Sequence, residues 1–523
     1  MKKTLFYAVM IAAICFASCN NDDIFIETNE VTTDPIALLE EVYSADQEVE
    51  MLRPFARALY NAMSESPILR EILKTKALEQ FNKEYDVLYQ FIKDEPVENG
   101  LTVRQLLLTH FENEEMLADI ERRRPTLTIF VPQLPEESFS AEIWNTAEEI
   151  PAVALHVTKH IHTPIFGDFG EYGDEFVVES GLVPAFPVVV LKNNARVVVA
   201  EGSRTRFAAL DNPNCDFVFE FTHEYFDNSE KEVQVTTRQT VYTIDPKVKE
   251  AFEIYQDVDG WQRDYIYYGI TPSSPNGPLS RSFQEHITSF RFSSKVEPKL
   301  MLEHLTKHGS GPTLITFGVG SNFHPWTTGH FAFLINTQIG ATSQPLSERS
   351  AVFLAYPEDL FEVTYTVTRG PMGSFFYVAQ VTGFKTMKLT TPLMTWNLAQ
   401  YEPTMKIVIF KMNDQQTITS LTSYETEFAG NIGLDLAFGT DSKSGLKFGT
   451  SAKEKKTVTV QTVTSLTNQN LGDVLVDFGD KVVVSYQPQR SLLFGIGFIK
   501  ENWQLRKYEN NMYSITVEPV RVE

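Results

Sequence analysis

The stretch IERRRPTLTIFV, residues 120–131, marks a change of period along the chain. Arg122, Arg123 and Arg124 precede Pro125, and a run rich in β-branched and aromatic residues follows. Cations in the last turn of a helix favour its negative end, and a proline just beyond stops it. Upstream, apolar residues recur every three to four positions; from Thr126 the spacing tightens toward two. The switch predicts an α+β chain, with an N-terminal helical bundle over 36–124 followed by mainly antiparallel, β-sandwich-like domains.

Upstream of the switch, Phe55, Ala56, Leu59, Tyr60 and Met63 fall on one helical face, with Pro54 placed to open or kink that helix. Ser66-Pro67 reads as an N-cap with proline at the first helical position, opening a helix through Ile68, Leu69, Ile72 and Leu73. Thr102 and Gln105 match a capping box, with Leu101 and Leu106 as its hydrophobic staple. Asn113 caps a further helix through Met116, Leu117 and Ile120. Short linkers between these elements imply antiparallel neighbours.

Downstream, TLTIFV, AVALHV, FPVVVL, ARVVVA and DFVFEF read as short strands separated by Pro, Gly and Asn. Helices interrupt near Lys247–Tyr255 and Pro298–Lys307, and DVDGWQRD reads as an Asp-Gly turn before a strand, RDYIYYG. Near the C-terminus Ile432, Leu434, Leu436 and Phe438 alternate with Gly433, Asp435, Ala437 and Gly439, and Leu446 and Phe448 resume the alternation after TDSKSG. That is a hairpin with one apolar face. KTVTVQTVTSLT then reads as another half-exposed strand. A boundary near 390 divides a β-rich domain with a few helices, 125–390, from an all-β domain, 391–523.

Chemistry-bearing patterns are sparse. The chain carries no G-x-S-x-G, H-E-x-x-H, Walker A or G-x-G-x-x-G signature. His156, His160 and His162 sit at even positions of AVALHVTKHIHTP, so one strand would put them on one face. Positions two apart are roughly 6.6 Å apart at Cα, which brings His160 and His162 within reach of one metal. Zinc asks for at least three protein ligands, so a carboxylate elsewhere would have to complete the set; the plain alternative is the polar side of a surface strand. Asp257, Asp259 and Gly260 resemble part of a calcium loop, but Tyr255 and Ile266 occupy the anchoring positions that need Asp and Glu. The loop SNFHPWTTGHF, residues 321–331, gathers Asn322, His324 and Trp326 among turn formers. Trp326 could stack on a sugar face with Asn322 or Thr327 bonding its hydroxyls and His324 beside it, or could pack into the core beneath the loop. Cys215 stands next to Asp216, which opposes thiolate formation. No cofactor is expected.

The N-terminus supplies the address. Lys2 and Lys3 precede an apolar run from Leu5 to Phe16, the length of a secretory core and too short to span a bilayer. Ala17-Ser18-Cys19 closes it, and Asn20-Asn21-Asp22-Asp23 follows. This resembles the signal peptide and lipobox of bacterial surface lipoproteins of the Bacteroidota type, with Phe16 where that pattern prefers Leu. The resemblance covers only this segment. It implies removal of residues 1–18, diacylglycerol on the Cys19 sulfur, and a lipidated tether over 19–35. It also implies an outer-membrane address, with the acids after Cys19 acting as a surface-export tag.

Net charge is −23, and loss of Lys2 and Lys3 with the signal takes it to −25. That excess favours solubility and excludes nucleic acid as a partner. The expectation is a non-enzymatic, surface-anchored lipoprotein that binds a glycan or a surface protein. The first alternative is an extracytoplasmic hydrolase of glycan or peptide. The second, drawn from the 432–449 hairpin, is a pore-forming or membrane-interacting β protein.

Overall fold

Helix starts are written into this chain by side chains that can reach back to free backbone N–H groups. In the computed structural model, which describes residues 45–157, 162–179, 182–200, 209–210, 217–228, 243–306, 326–341, 347–370, 373–412, 419–432, 443–444, 452–465, 469–493 and 496–522, these caps form. Ser66 Oγ accepts from the Leu69 N–H at the start of helix Pro67–Glu79. Thr102 and Gln105 exchange both bonds of a capping box before Val103–Leu108. Asn113 accepts from Met116 N–H at the start of Glu114–Arg123. Each such cap contributes about 1 kcal/mol. The arginine cluster ends that last helix: Arg123 meets Asp119 at 2.8 Å and Arg124 reaches Glu48 at 3.1 Å. Pro54 lies inside Ala45–Glu65 rather than opening it.

Phe55, Leu59 and Met63 are fully buried, as their spacing predicts. Their cover is not helix alone. Ala45–Glu65 also packs on the strand Ala152–Leu155, and one core runs through helices and strands together. Among them is a strand the periodicity did not show, Asp86–Leu88, paired with Leu127–Phe130.

These strands belong to a six-stranded sheet ordered Asp86–Leu88, Leu127–Phe130, Val188–Asn193, Ala152–Leu155, Thr163–Phe166, Glu175–Val178. Its pairings are antiparallel except Ala152–Leu155 with Val188–Asn193, which run parallel. Both parallel strands are buried along nearly their whole length. Continuous apolar runs such as AVAL and VVVL suit burial on two faces, where alternation would expose half of each strand.

Beyond residue 280 two four-stranded antiparallel sheets carry the fold. One is ordered Met387–Met394, Phe283–Phe292, Tyr513–Arg521, Lys507–Glu509; the other Ser347–Ala355, Phe331–Ala341, Tyr401–Lys411, Gln469–Asp477. Phe290 of the first lies 5.6 Å and 5.3 Å, ring to ring, from Phe333 and Phe353 of the second, which stack on each other at 4.8 Å. Burying rings of this size contributes about 1.5–3 kcal/mol each. A three-stranded sheet, Phe361–Arg369, Phe375–Phe384 and Leu182–Pro184, joins chain from both halves.

The expected strand RDYIYYG is a helix, Gln262–Tyr268. Gln262, Arg263, Ile266 and Tyr267 are buried at helical spacing, and Gly269 ends the helix at φ 63°, a left-handed turn suited to glycine. The helices expected near 247 and 298 are present as Pro246–Tyr255 and Pro298–Thr306.

Tyr401–Lys411 and Gln469–Asp477 form the base of a long hairpin, with Lys411 opposite Gln469. Farther out the chain pairs again, Thr419–Ile432 with Ala452–Ser465, in unbroken register from Thr419–Ser465 to Ile432–Ala452. This outer part is a two-stranded ribbon, and it contains the strand expected from KTVTVQTVTSLT. Most of the 432–449 hairpin lies outside the described residues. Lys443–Ser444 is described, and it pairs with Asn276–Gly277. No helix among the described residues is long and apolar enough to cross a membrane.

Candidate functional site

A dense cluster of buried polar side chains is centred on Glu84. The chain leaves helix Pro67–Glu79 through Gln80 and Lys83, both at positive φ, and delivers Glu84 just ahead of Asp86–Leu88. Glu84 is 1% exposed. Its Oε2 receives Arg196 Nη2 at 3.1 Å, the His330 backbone N–H at 3.0 Å and His330 Nδ1 at 2.9 Å. Arg196 also donates through Nη1 to the carbonyls of Asn82 and Lys83, at 3.0 and 2.9 Å. Burial alone would raise the Glu84 carboxyl pKa. The His330 ring and the Arg196 guanidinium outweigh it, with help from Lys192, and hold the carboxyl well below its usual range.

A second acid extends the cluster. Asp86 Oδ1 lies 3.1 Å from Lys192 Nζ, and Oδ2 accepts from Asn82 at 2.9 Å and Asn194 at 3.2 Å. Asn194 also donates to Thr128 Oγ1 and accepts from the Arg196 N–H. The cations rest on rings: Lys192 Nζ is 4.0 Å from the Phe130 centroid, and the Arg196 guanidinium carbon is 5.1 Å from that of Phe226.

The loop that supplies His330 is the one the sequence singles out, and it is stitched down at successive points. Trp326 is 6% exposed, and its Nε1–H donates to Leu182 O at 3.2 Å. Thr327 Oγ1 is 3.0 Å from His156 Nδ1. Gly329 adopts φ 78°, and a Cβ there would stand 2.5 Å from Glu84 Oε2, so both backbone and space call for glycine. The His330 ring lies over Tyr356 with centroids 3.5 Å apart. Trp326 therefore does not offer a face to a sugar: the ring is part of the core, because the loop folds inward onto Leu182 and Glu84. Asn322 and His324 lie outside the described residues.

The expected histidine strand is also corrected. The strand ends at Leu155, and the next begins at Thr163 and runs back antiparallel, Val153 opposite Phe166. His156 and His162 therefore flank a chain reversal instead of sharing a strand face. His160 lies outside the described residues, and His162 is exposed. Among the described residues no group of three or more His, Cys, Asp or Glu side chains is placed to hold a metal ion. Cys19 and Cys215 are likewise outside the described residues.

A second buried pair, Arg263 with Glu285, is sealed at 0% exposure on both sides. Arg263 Nε and Nη2 meet the two carboxylate oxygens at 2.8 and 3.1 Å, and Tyr267 OH donates to Glu285 at 3.2 Å. Burial pulls the Arg263 pKa down, but Glu285 overrides it and the pKa rises, so the guanidinium stays charged. An open surface groove is lined by Asp46, Gln47, Glu50, Met51, Asp119 and Arg123. Two of its acids are engaged with cations already, Glu50 with Arg53 and Asp119 with Arg123.

Chemically, a histidine held by a carboxylate is the arrangement that orients a general base. Here the same carboxylate oxygen also takes Arg196, and the imidazole is covered by Tyr356. The cluster ties three distant segments, around residues 84, 196 and 330, into one seam. No family model matches this chain, and neither a curated protein nor a solved structure matches it.

Proposed function

We propose that this chain is an outer-membrane lipoprotein, acylated at Cys19 and displayed on the cell surface, that binds a glycan or a surface protein without catalysing a reaction. Residues 19–35 serve as the lipidated tether. The helical segment 36–124, read as a bundle, stands nearest the lipid and lifts the β-rich domains, read as sandwiches. The single observation that supports binding over catalysis is the inward use of the Glu84–His330–Arg196 cluster. Its carboxylate is saturated by protein donors and its loop is fastened to the core. Such a site stabilises a scaffold and leaves recognition to the surface.

Three measurements test the parts of this reading. Mass spectrometry of the mature protein is expected to find diacylglycerol on Cys19, and a Cys19→Ser variant is expected to leave the detergent phase. Protease shaving of intact cells is expected to remove the body. A screen of glycans and surface proteins against the purified body is expected to return a saturable binder; an empty screen would overturn the binding reading. The hydrolase alternative draws on the Glu84–His330 pair. It would gain if a hydrolytic activity were found that His330→Gln abolishes without changing the melting temperature.

A further inference from the structure

Two lysines of the Glu84 region lie against aromatic rings, and only one of them has an acid. Lys192 Nζ is 4.0 Å from the Phe130 centroid and 3.1 Å from Asp86 Oδ1. Lys83 Nζ is 3.8 Å from the Tyr225 centroid, and among the described residues no hydrogen bond or ion pair reaches it. Its chain neighbour Glu84 is already taken by Arg196 and His330. Lys83 is half-buried, so its amine is shielded from bulk water and still open to a small molecule. This amine stands apart from the proposed binding role and does not depend on it.

The backbone around Lys83 is fixed from several sides. Lys83 has φ 60°, a left-handed conformation that a residue with a side chain keeps only where its surroundings impose it. Lys83 N–H donates to Gln80 O at 2.8 Å, and Arg196 Nη1 donates to the carbonyls of Asn82 and Lys83. Asn228 holds the carbonyls of Gln80 and Phe81, at 3.0 and 3.2 Å. The side chain is thereby laid on Tyr225, which packs with Phe81 against the apolar cluster around Phe226. Charges face it from two elements: Arg196, just ahead of strand Val197–Val199, and Asp227, just after the turn Glu224–Phe226. Burial pulls the Lys83 pKa below the usual lysine value; Asp227 opposes that pull and Arg196 adds to it. The Tyr225 ring attracts an ammonium but offers no carboxylate to hold it. Desolvation and a neighbouring cation are the two settings that free a lysine lone pair near neutral pH.

We propose that Lys83 is a nucleophilic amine that captures small aldehydes as an imine. The nitrogen lone pair adds to the carbonyl carbon, the C=O π pair moves to oxygen, and one N–H proton transfers there to give a carbinolamine. The lone pair left on nitrogen then forms the C=N bond as the C–O bond breaks, and the oxygen leaves as water with the remaining N–H proton. Nothing is oxidised or reduced, and added water reverses the capture.

Acetaldehyde is the probe, with cyanoborohydride to trap the imine by hydride transfer to its carbon. The full chain is treated at pH 7, and ethylation is timed at each lysine by peptide mass mapping, with exposed Lys388 and Lys507 as references. Lys83 is expected to ethylate at least threefold faster than either. Its lead is expected to shrink at pH 9.5, where the reference amines also lose protons. Asp227→Asn removes the charge that favours the ammonium and is expected to widen the lead at pH 7. The proposal is overturned if Lys83 leads by less than threefold, if its lead is the same at both pH values, which is accessibility alone, or if Asp227→Asn does not widen it.

Discussion

The two buried acid–guanidinium clusters are built over very different spans of chain. Arg263 and Glu285 are 22 residues apart, and both side chains are sealed from water. Glu84 draws Arg196 from 112 residues away and His330 from 246. The first fastens helix Gln262–Tyr268 to the nearby strand Phe283–Phe292. The second closes only when three remote segments have arrived, and it carries a histidine whose ring is partly open to solvent. The difference separates a local fastening, formed once and left alone, from a seam that reports on the state of the whole molecule. Neither pair is necessarily worth more than a well-packed apolar substitute, but breaking one half of either strands a charge.

The largest effect is expected at the local pair. Arg263→Met leaves Glu285 buried and unpaired and is expected to cost about 3–5 kcal/mol, read as a large fall in melting temperature. Adding Glu285→Leu is expected to recover most of that loss; no recovery would mean that packing, not charge, sets the cost. Next, Glu84→Gln removes the charge that Arg196 and His330 share, with an expected loss of about 2–4 kcal/mol by denaturant titration. Gly329→Ala is expected to cost about 1–3 kcal/mol, since it strains a residue at φ 78° and crowds Glu84. An unchanged midpoint would show that the loop does not seat on the acid.

The smallest and most discriminating effect is in acid. The Glu84 pKa is lowered in the folded state, so its stabilisation is full above its ordinary value of 4.5. It is lost as pH falls through that value toward the depressed one. Stability measured from pH 7 down to pH 3 is expected to fall less steeply in Glu84→Gln than in the parent. Parallel acid limbs would sever Glu84 from the pH response and break the contrast with the sealed pair.

What the sequence disclosed tracks how locally each feature is determined. The caps at Ser66, Thr102 and Asn113 need only neighbours three residues on, and all were legible. Helix Gln262–Tyr268 was misread because Tyr and Ile carry strand propensity, while the cue that won, Gly269 as a left-handed stop, reads equally as a turn. Asp86–Leu88 is too short to show a period, and the parallel pairing of Ala152–Leu155 with Val188–Asn193 depends on contacts no local pattern encodes. The candidate site was half visible. The loop around Trp326 and His330 stood out by composition, but its partners Glu84 and Arg196 did not. Their signal was a charge set beside apolar runs, as in KNNARVVV and KEYDVL, which implies a partner without naming it.

The strand Tyr513–Arg521 lies between Phe283–Phe292 and Lys507–Glu509, an interior place in its sheet for a segment so late in the sequence. A nascent polypeptide would thus reach residue 500 with Phe290 lacking one of its two flanking ladders. Closure of that layer waits on the end of synthesis, and truncation upstream of 513 would leave Phe283–Phe292 as an edge strand open to foreign pairing. The integrity of the sheet is in this way vested in nine late residues.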